Sequence, residues 1–282
     1  ADGSADLGAL TSGAGDGDWM AVEATRRRRR LTSAWRRAPA FDPAPYEASA
    51  LARARHLWTM RATAEHESAL IFAGLLPLAL EAKASLDTQT VLVGMAEDEL
   101  RHAAICAEVA RRLGGDPPPA RPTTIPRGAR PIEEQLLRHV IYGNCMTETV
   151  NAARLVDAAE QACDPFLRGA LLELLADEVR HARFGFVLLN DWATFFESRP
   201  DARRAVDEFL PGAFAALERT LSGAGASRAG FGDDDLALGS PDPGRLAEVF
   251  YRTVEEAVVP GLERAGFAAS AAWQARARKA DP

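Results

Sequence analysis

The chain has 282 residues, of which 47% are hydrophobic and 26% charged, and a formal net charge of -7. These are values of an ordinary globular protein with room for a substantial core. No apolar run approaches the ~20 residues that a membrane span needs, and the acidic balance disfavours nucleic acid as the main partner. The three cysteines, Cys106, Cys145 and Cys163, are dispersed and include no C-x-x-C pair, which argues against a disulfide framework and a thiolate zinc or rubredoxin-type site. The opening residues lack an apolar signal segment, so the expected setting is cytoplasmic.

Residues 1–45 are Gly/Asp-rich, then Arg-rich, then punctuated by Pro39, Pro43 and Pro45, and read as a flexible N-terminal arm. The run Arg26 to Arg30, with Arg36 and Arg37, is read as a solvated basic segment; an anionic partner, membrane surface or RNA is the alternative. From about residue 46 the pattern becomes helical. A first helix is expected over 46–85 with Pro77 as a bend. A second, over 87–113, should stop at Gly114-Gly115. A loop with six prolines follows (116–131). A third helix is expected over 132–161. Asp164-Pro165 then gives an N-cap and a proline at the first helical position, opening a fourth helix to 197. Beyond Pro200 the reading is a helix over 202–221, a Gly/Asp/Ser loop over 222–242 and a helical part over 243–278. No stretch alternates long enough for a strand, so the expected fold is all-α. Residues 46–197 are expected to form the main domain and 198–282 a helical extension packing on it.

The second and fourth helices carry an internal repeat. Asp98-Glu99-Leu100-Arg101-His102-Ala103 and Asp177-Glu178-Val179-Arg180-His181-Ala182 share five of six positions and a Leu/Val exchange, offset by 79 residues. Residues three apart lie on one helix face, so Glu99 with His102, and Glu178 with His181, can reach a common ion. Each pair falls on an apolar stripe: Leu92, Met95, Cys106 and Val109 in one helix, Leu171, Leu174, Leu188 and Trp192 in the other. Burying carboxylates on such faces is costly unless a cation coordinates them. A two-metal site of this kind takes one further Glu from each remaining helix. Glu148, the only acid between Glu134 and Asp157, lies on the stripe Ile141, Cys145, Ala152 and Leu155. The first helix offers Glu65 and Glu67, which periodicity does not separate.

These residues resemble the ferritin-like carboxylate-bridged di-iron superfamily, whose pattern is Glu, Glu-x-x-His, Glu, Glu-x-x-His on four successive helices. Glu65-His66-Glu67-Ser68 is similar to its first-helix segment and Thr147-Glu148-Thr149-Val150 to its third. The resemblance covers about residues 50–195. It implies a ferritin-like four-helix bundle with added C-terminal helices, and it favours Glu65 over Glu67. The implied ligands are Glu65, Glu99, His102, Glu148, Glu178 and His181. Asp98 and Asp177 would each hydrogen-bond the outer nitrogen of the opposite motif's histidine, with Arg101 and Arg180 pairing to these acids or their neighbours.

Two histidines and four carboxylates suit two Fe ions, with Mn or a mixed Mn/Fe pair as alternatives. Such a centre activates O2 as co-substrate, with electrons from an external donor such as a reductase or ferredoxin. Without a rubredoxin module, peroxide reduction is disfavoured, and the added helices disfavour a minimal iron-storage (ferroxidase) subunit. The leading expectation is an oxidase or oxygenase that hydroxylates or N-oxygenates a small organic substrate. A tRNA-hydroxylase-like enzyme and a non-catalytic metal-binding scaffold are the alternatives, and a homodimer is compatible with the sequence. Asn144 and Asn151 flank Glu148 as polar pocket candidates. Cys106 and Cys145 are expected as buried apolar thiols near the metals, and Trp58 and Tyr142 as packing residues. His56, His66 and His139 have no partner pattern and are read as non-ligands.

Overall fold

The computed structural model describes residues 40–116 and 127–276, and among these there is no strand: the protein is all-α. Residues 1–39, which hold the arginine run and most of the expected arm, lie outside the described residues.

Four long helical stretches frame the molecule. Helix α1 spans Ala48–Glu81 and runs through Pro77 without interruption. Helix α2 spans Leu86–Arg112. Its first turn is capped by Ser85, whose hydroxyl accepts the Thr88 N–H at 3.1 Å. It ends where Gly114 takes a left-handed φ of 79°, a conformation that costs glycine nothing. Helix α3 covers residues 132–161 in three parts: α-helical Ile132–Val140, π-helical Ile141–Glu148 and α-helical Thr149–Gln161. Helix α4 spans Pro165–Asp191. Asp164 caps it by accepting the N–H groups of Phe166 and Leu167 at 2.9 and 3.0 Å, with Pro165 at the first position as its φ allows. Contacts join α1 to α2, α2 to α4, α4 to α3 and α3 to α1, so the four close around a common axis.

The remaining helices are α5 (Ala193–Ser198), α6 (Pro200–Leu221), α7 (Asp233–Ala237), α8 over 246–264 with a π turn at Val254–Val258, and α9 (Ala269–Ala275). The expected fourth helix to 197 therefore breaks at Trp192 into α4 and α5. The cause is tertiary: Phe196 of α5 turns into a core with Phe267, ring centroids 5.1 Å apart. The expected loop over 222–242 contains α7, and the last expected helix divides after Arg264, where Gly266 takes φ 87°. Two apolar cores stand out among the described residues. One lies among Phe72, Leu75, Leu92, Leu136 and Leu188 of the four long helices. The other lies among Ile141, Val150, Leu189, Leu210, Phe214, Phe250 and Trp273, and fastens α6, α8 and α9 onto α3 and α4. Among the described residues no helix is long and apolar enough to cross a membrane.

Candidate metal centre

Midway along the four helices, where apolar stripes would otherwise meet, six polar side chains converge. Glu99, His102, Glu148, Glu178 and His181 are all buried, and the Glu65 side chain is 17% exposed. Two groups have ligand atoms within 4.8 Å of one another: Glu65, Glu99, His102 and Glu178, and Glu148, Glu178 and His181. These Glu and His side chains are close enough to hold a metal ion. Glu67 belongs to neither group.

The geometry ties the halves together more closely than spacing along each helix implies. Glu99 places Oε1 3.0 Å from His181 Nδ1 and Oε2 3.6 Å from His102 Nδ1. Glu178 does the same in reverse, with Oε1 3.3 Å from His102 Nδ1 and Oε2 3.6 Å from His181 Nδ1. Each carboxylate thus faces both imidazoles, an arrangement suited to spanning two cations. Reading Glu99 with His102 as a pair for one ion misses this, because it depends on the separation of α2 and α4.

Both histidines turn Nδ1 inward and Nε2 outward. His102 Nε2 lies 3.1 Å from Asp177 Oδ2, and His181 Nε2 lies 3.4 Å from Asp98 Oδ2. Arg101, itself buried, pairs with Asp177 and reaches Glu173 at 3.4 Å. Arg180 pairs with Asp177 and lies 3.7 Å from Asp98. Glu173 gave no signal in the sequence beyond its position on α4.

The third helix supplies Glu148 from the last residue of its π segment. Within that wider turn Asn144 and Cys145 are both buried. Asn144 donates through Nδ2 to the His181 carbonyl at 3.0 Å and so ties α3 to the ligand-bearing turn of α4. Gly185 permits this approach: a β-carbon there would lie 2.6 Å from Cys145 Sγ and 2.7 Å from Asn144 Cβ. Asn151 is half-buried. Cys106 and Cys145 are buried free thiols, pushed above the usual thiol range by burial.

The electrostatics follow from burying six ionisable side chains together. Burial, then the charges of Glu178 and Glu99, hold Glu148 well above the carboxylate range. Burial, then Glu99 and Glu178, do the same to Glu65. Burial works against a charged His181, but Asp98 at its Nε2 and the carboxylates of Glu178 and Glu99 facing its Nδ1 outweigh it and push the imidazole up to about 11. His102 is raised by Glu178 and Glu99 against the same opposition. Both oxygens of Glu99, Oε2 of Glu178 and Nδ1 of both histidines are buried without a hydrogen bond of usable geometry, and each such orphan costs about 1–3 kcal/mol. A metal ion held among them would satisfy these atoms together, and the donor set is oxygen and imidazole without thiolate. No family model, curated protein or solved structure matches the chain.

Proposed function

We propose that this chain is a ferritin-like, carboxylate-bridged dimetal protein, and that it works as an O2-dependent di-iron oxidase or oxygenase on a small organic substrate. The observation that carries the reading is the mirrored pair of inward Nδ1 atoms and orphaned carboxylate oxygens on α2 and α4. Glu65, Glu99, His102 and Glu178 would hold one ion, and Glu148, Glu178 and His181 with Glu99 the other. When bound, the two ions supply the redox chemistry that activates O2. In an oxygenation, one oxygen atom enters the substrate and the other leaves as water, with two electrons from an external donor and two protons.

The chain's own share is preorganisation. Asp177 and Asp98 accept the Nε2 protons of His102 and His181, which fixes the tautomer and leaves each Nδ1 lone pair free for a cation. Arg101 compensates the buried charge of Asp177. Phe72, its ring 5.7 Å from that of His181, and Leu92 and Met95 of α2 exclude water from the centre. The added helices α6, α8 and α9 bury the outer face of α3 and stiffen the helix that carries Glu148.

Anaerobic loading with Fe(II) should fill about two ions per chain. Admission of O2 should then produce the near-ultraviolet absorption of a diferric site. Uptake of less than about half an ion per chain sinks the reading. A multi-subunit cage that mineralises iron far beyond two ions per chain would replace it with iron storage.

A further inference from the structure

A second polar constellation lies away from the candidate metal centre, between α3 and α6. There a cavity of about 480 Å³ is lined by Arg130 just before α3, by Arg138, His139 and Tyr142 of α3 and by Phe209 and Gly212 of α6. Its surface is mostly apolar, and its size falls in the range of small-molecule sites, about 300–1,000 Å³. It shares no residue with the candidate metal ligands. A β-carbon on Gly212 would meet no atom within 4 Å, so the space beside α6 is open.

Three polar groups on its wall have no partner among the described residues. The Tyr142 hydroxyl and the His139 imidazole make no hydrogen bond, and Arg138 Nε is buried and unpartnered. Burial lowers His139 from its ordinary value, so the imidazole is neutral at pH 7 and offers one N–H. The rest of Arg138 is held in place. Its guanidinium lies over the Phe209 ring, 4.7 Å from the centroid. Its Nη2 reaches Glu134 Oε1 at 2.7 Å and the Ala205 carbonyl at 3.2 Å. Arg130 Nε leans on the same Glu134 oxygen at 3.2 Å. Two guanidiniums thus share one carboxylate, which leaves a positive charge over, and no lining residue is acidic.

We propose that this cavity binds a small aromatic carboxylic acid. The guanidiniums of Arg138 and Arg130 take the carboxylate, whose paired oxygens match their planar forks. The rings of Tyr142 and His139 line the cavity as partners for the ligand's ring, and their O–H and N–H are further donors to its oxygens. Because Phe209 and Glu134 already hold Arg138, binding immobilises little that was free. A cation would meet the surplus positive charge, and a neutral ring alone would leave Arg138 Nε without an acceptor. The site stands apart from the candidate metal centre and does not depend on the dimetal reading.

The test is calorimetric titration of the full chain with 2-naphthoate, the neutral 2-naphthamide and the cation 2-naphthylmethylammonium. The acid should bind about tenfold or more tightly than either of the others. Gly212→Leu puts a side chain into the open space and suits a helix better than glycine. It should abolish binding of the acid without lowering the melting temperature. Arg138→Met keeps an apolar stem over Phe209 and removes the charge, so it should remove the preference for the acid over the amide. Where Arg138→Met does not fold, Arg130→Gln, at an exposed position, should reduce that preference instead. The proposal is overturned by an amide or cation that binds as tightly as the acid, by no binding from any probe, or by a Gly212→Leu chain that binds the acid unchanged. A folded Arg138→Met chain that keeps the preference overturns it as well, since Arg138 would then serve only Glu134 and Phe209. Iron does not enter the titration, so failure of this site and failure of the dimetal reading are read separately.

Discussion

At the scale of single residues, the two histidines are held in similar ways but not equally well. Asp177 is buried, lies 3.1 Å from His102 Nε2 and pairs with both Arg101 and Arg180. Asp98 is 20% exposed and lies 3.4 Å from His181 Nε2. A carboxylate that fixes an imidazole tautomer typically supports metal affinity by about 10–100-fold, and the support weakens as water competes for it. Asp177→Asn should therefore lower Fe(II) affinity within that range, and Asp98→Asn should lower it less, as read by competition with a chromophoric chelator. Equal losses would mean that the pairing through Arg101 does not matter. The first helix allows a companion comparison. Glu65 Oε2 lies 3.8 Å from His102 Nδ1, whereas Glu67 is outside both ligand groups. Glu65→Ala should cost iron and Glu67→Ala should leave it bound.

At the scale of elements, the π segment of α3 decides how closely that helix approaches α4. Gly185 sits where a β-carbon would meet Cys145 Sγ at 2.6 Å and the Cys145 backbone nitrogen at 3.0 Å. A sulfur at the end of a side chain can shift; a backbone nitrogen cannot without moving the helix. Gly185→Ala should cost about 1–3 kcal/mol of stability through overpacking, measurable by urea denaturation. It should also displace Asn144 and Glu148, so the ion held by Glu148 and His181 should weaken more than the other. Asp164-Pro165 and Gly114 announce the start of α4 and the end of α2 because capping is local chemistry, readable from two or three residues. The duplicated Asp-Glu-x-Arg-His segment is legible because its face is otherwise apolar. The π segment is not. Ile141, Cys145 and Glu148 continue an ordinary α-helical rhythm, and only packing against Gly185 reveals the wider turn.

At the scale of the whole molecule, the C-terminal helices are fastened to the rest and to one another by apolar packing and by a few ionised links that respond to pH. Arg53 of α1 donates to both oxygens of Asp235 in α7, at 2.6 and 2.8 Å. Burial tends to raise Asp235, but the Arg53 hydrogen bonds and the Gly232 N–H outweigh it and hold the carboxyl below its usual range. Glu218 of α6 accepts from Tyr251 of α8 at 2.9 Å and from Arg276 just beyond α9 at 3.0 Å. Its burial is likewise overcome, and its pKa is lowered. A carboxyl whose folded value lies below its unfolded value, about 4, contributes stability that is fully present above the unfolded value and lost as pH falls through the folded one. Thermal melts of the metal-free chain should therefore show Asp235→Asn and Glu218→Gln destabilised at pH 7. The gap to the unmodified chain should narrow as pH falls below the unfolded value of about 4 and close once the native carboxyls are protonated as well. The ligand carboxylates are present in all three chains, so their own acid response cancels in the comparison. A gap that persists undiminished at low pH would show that these residues act through packing alone.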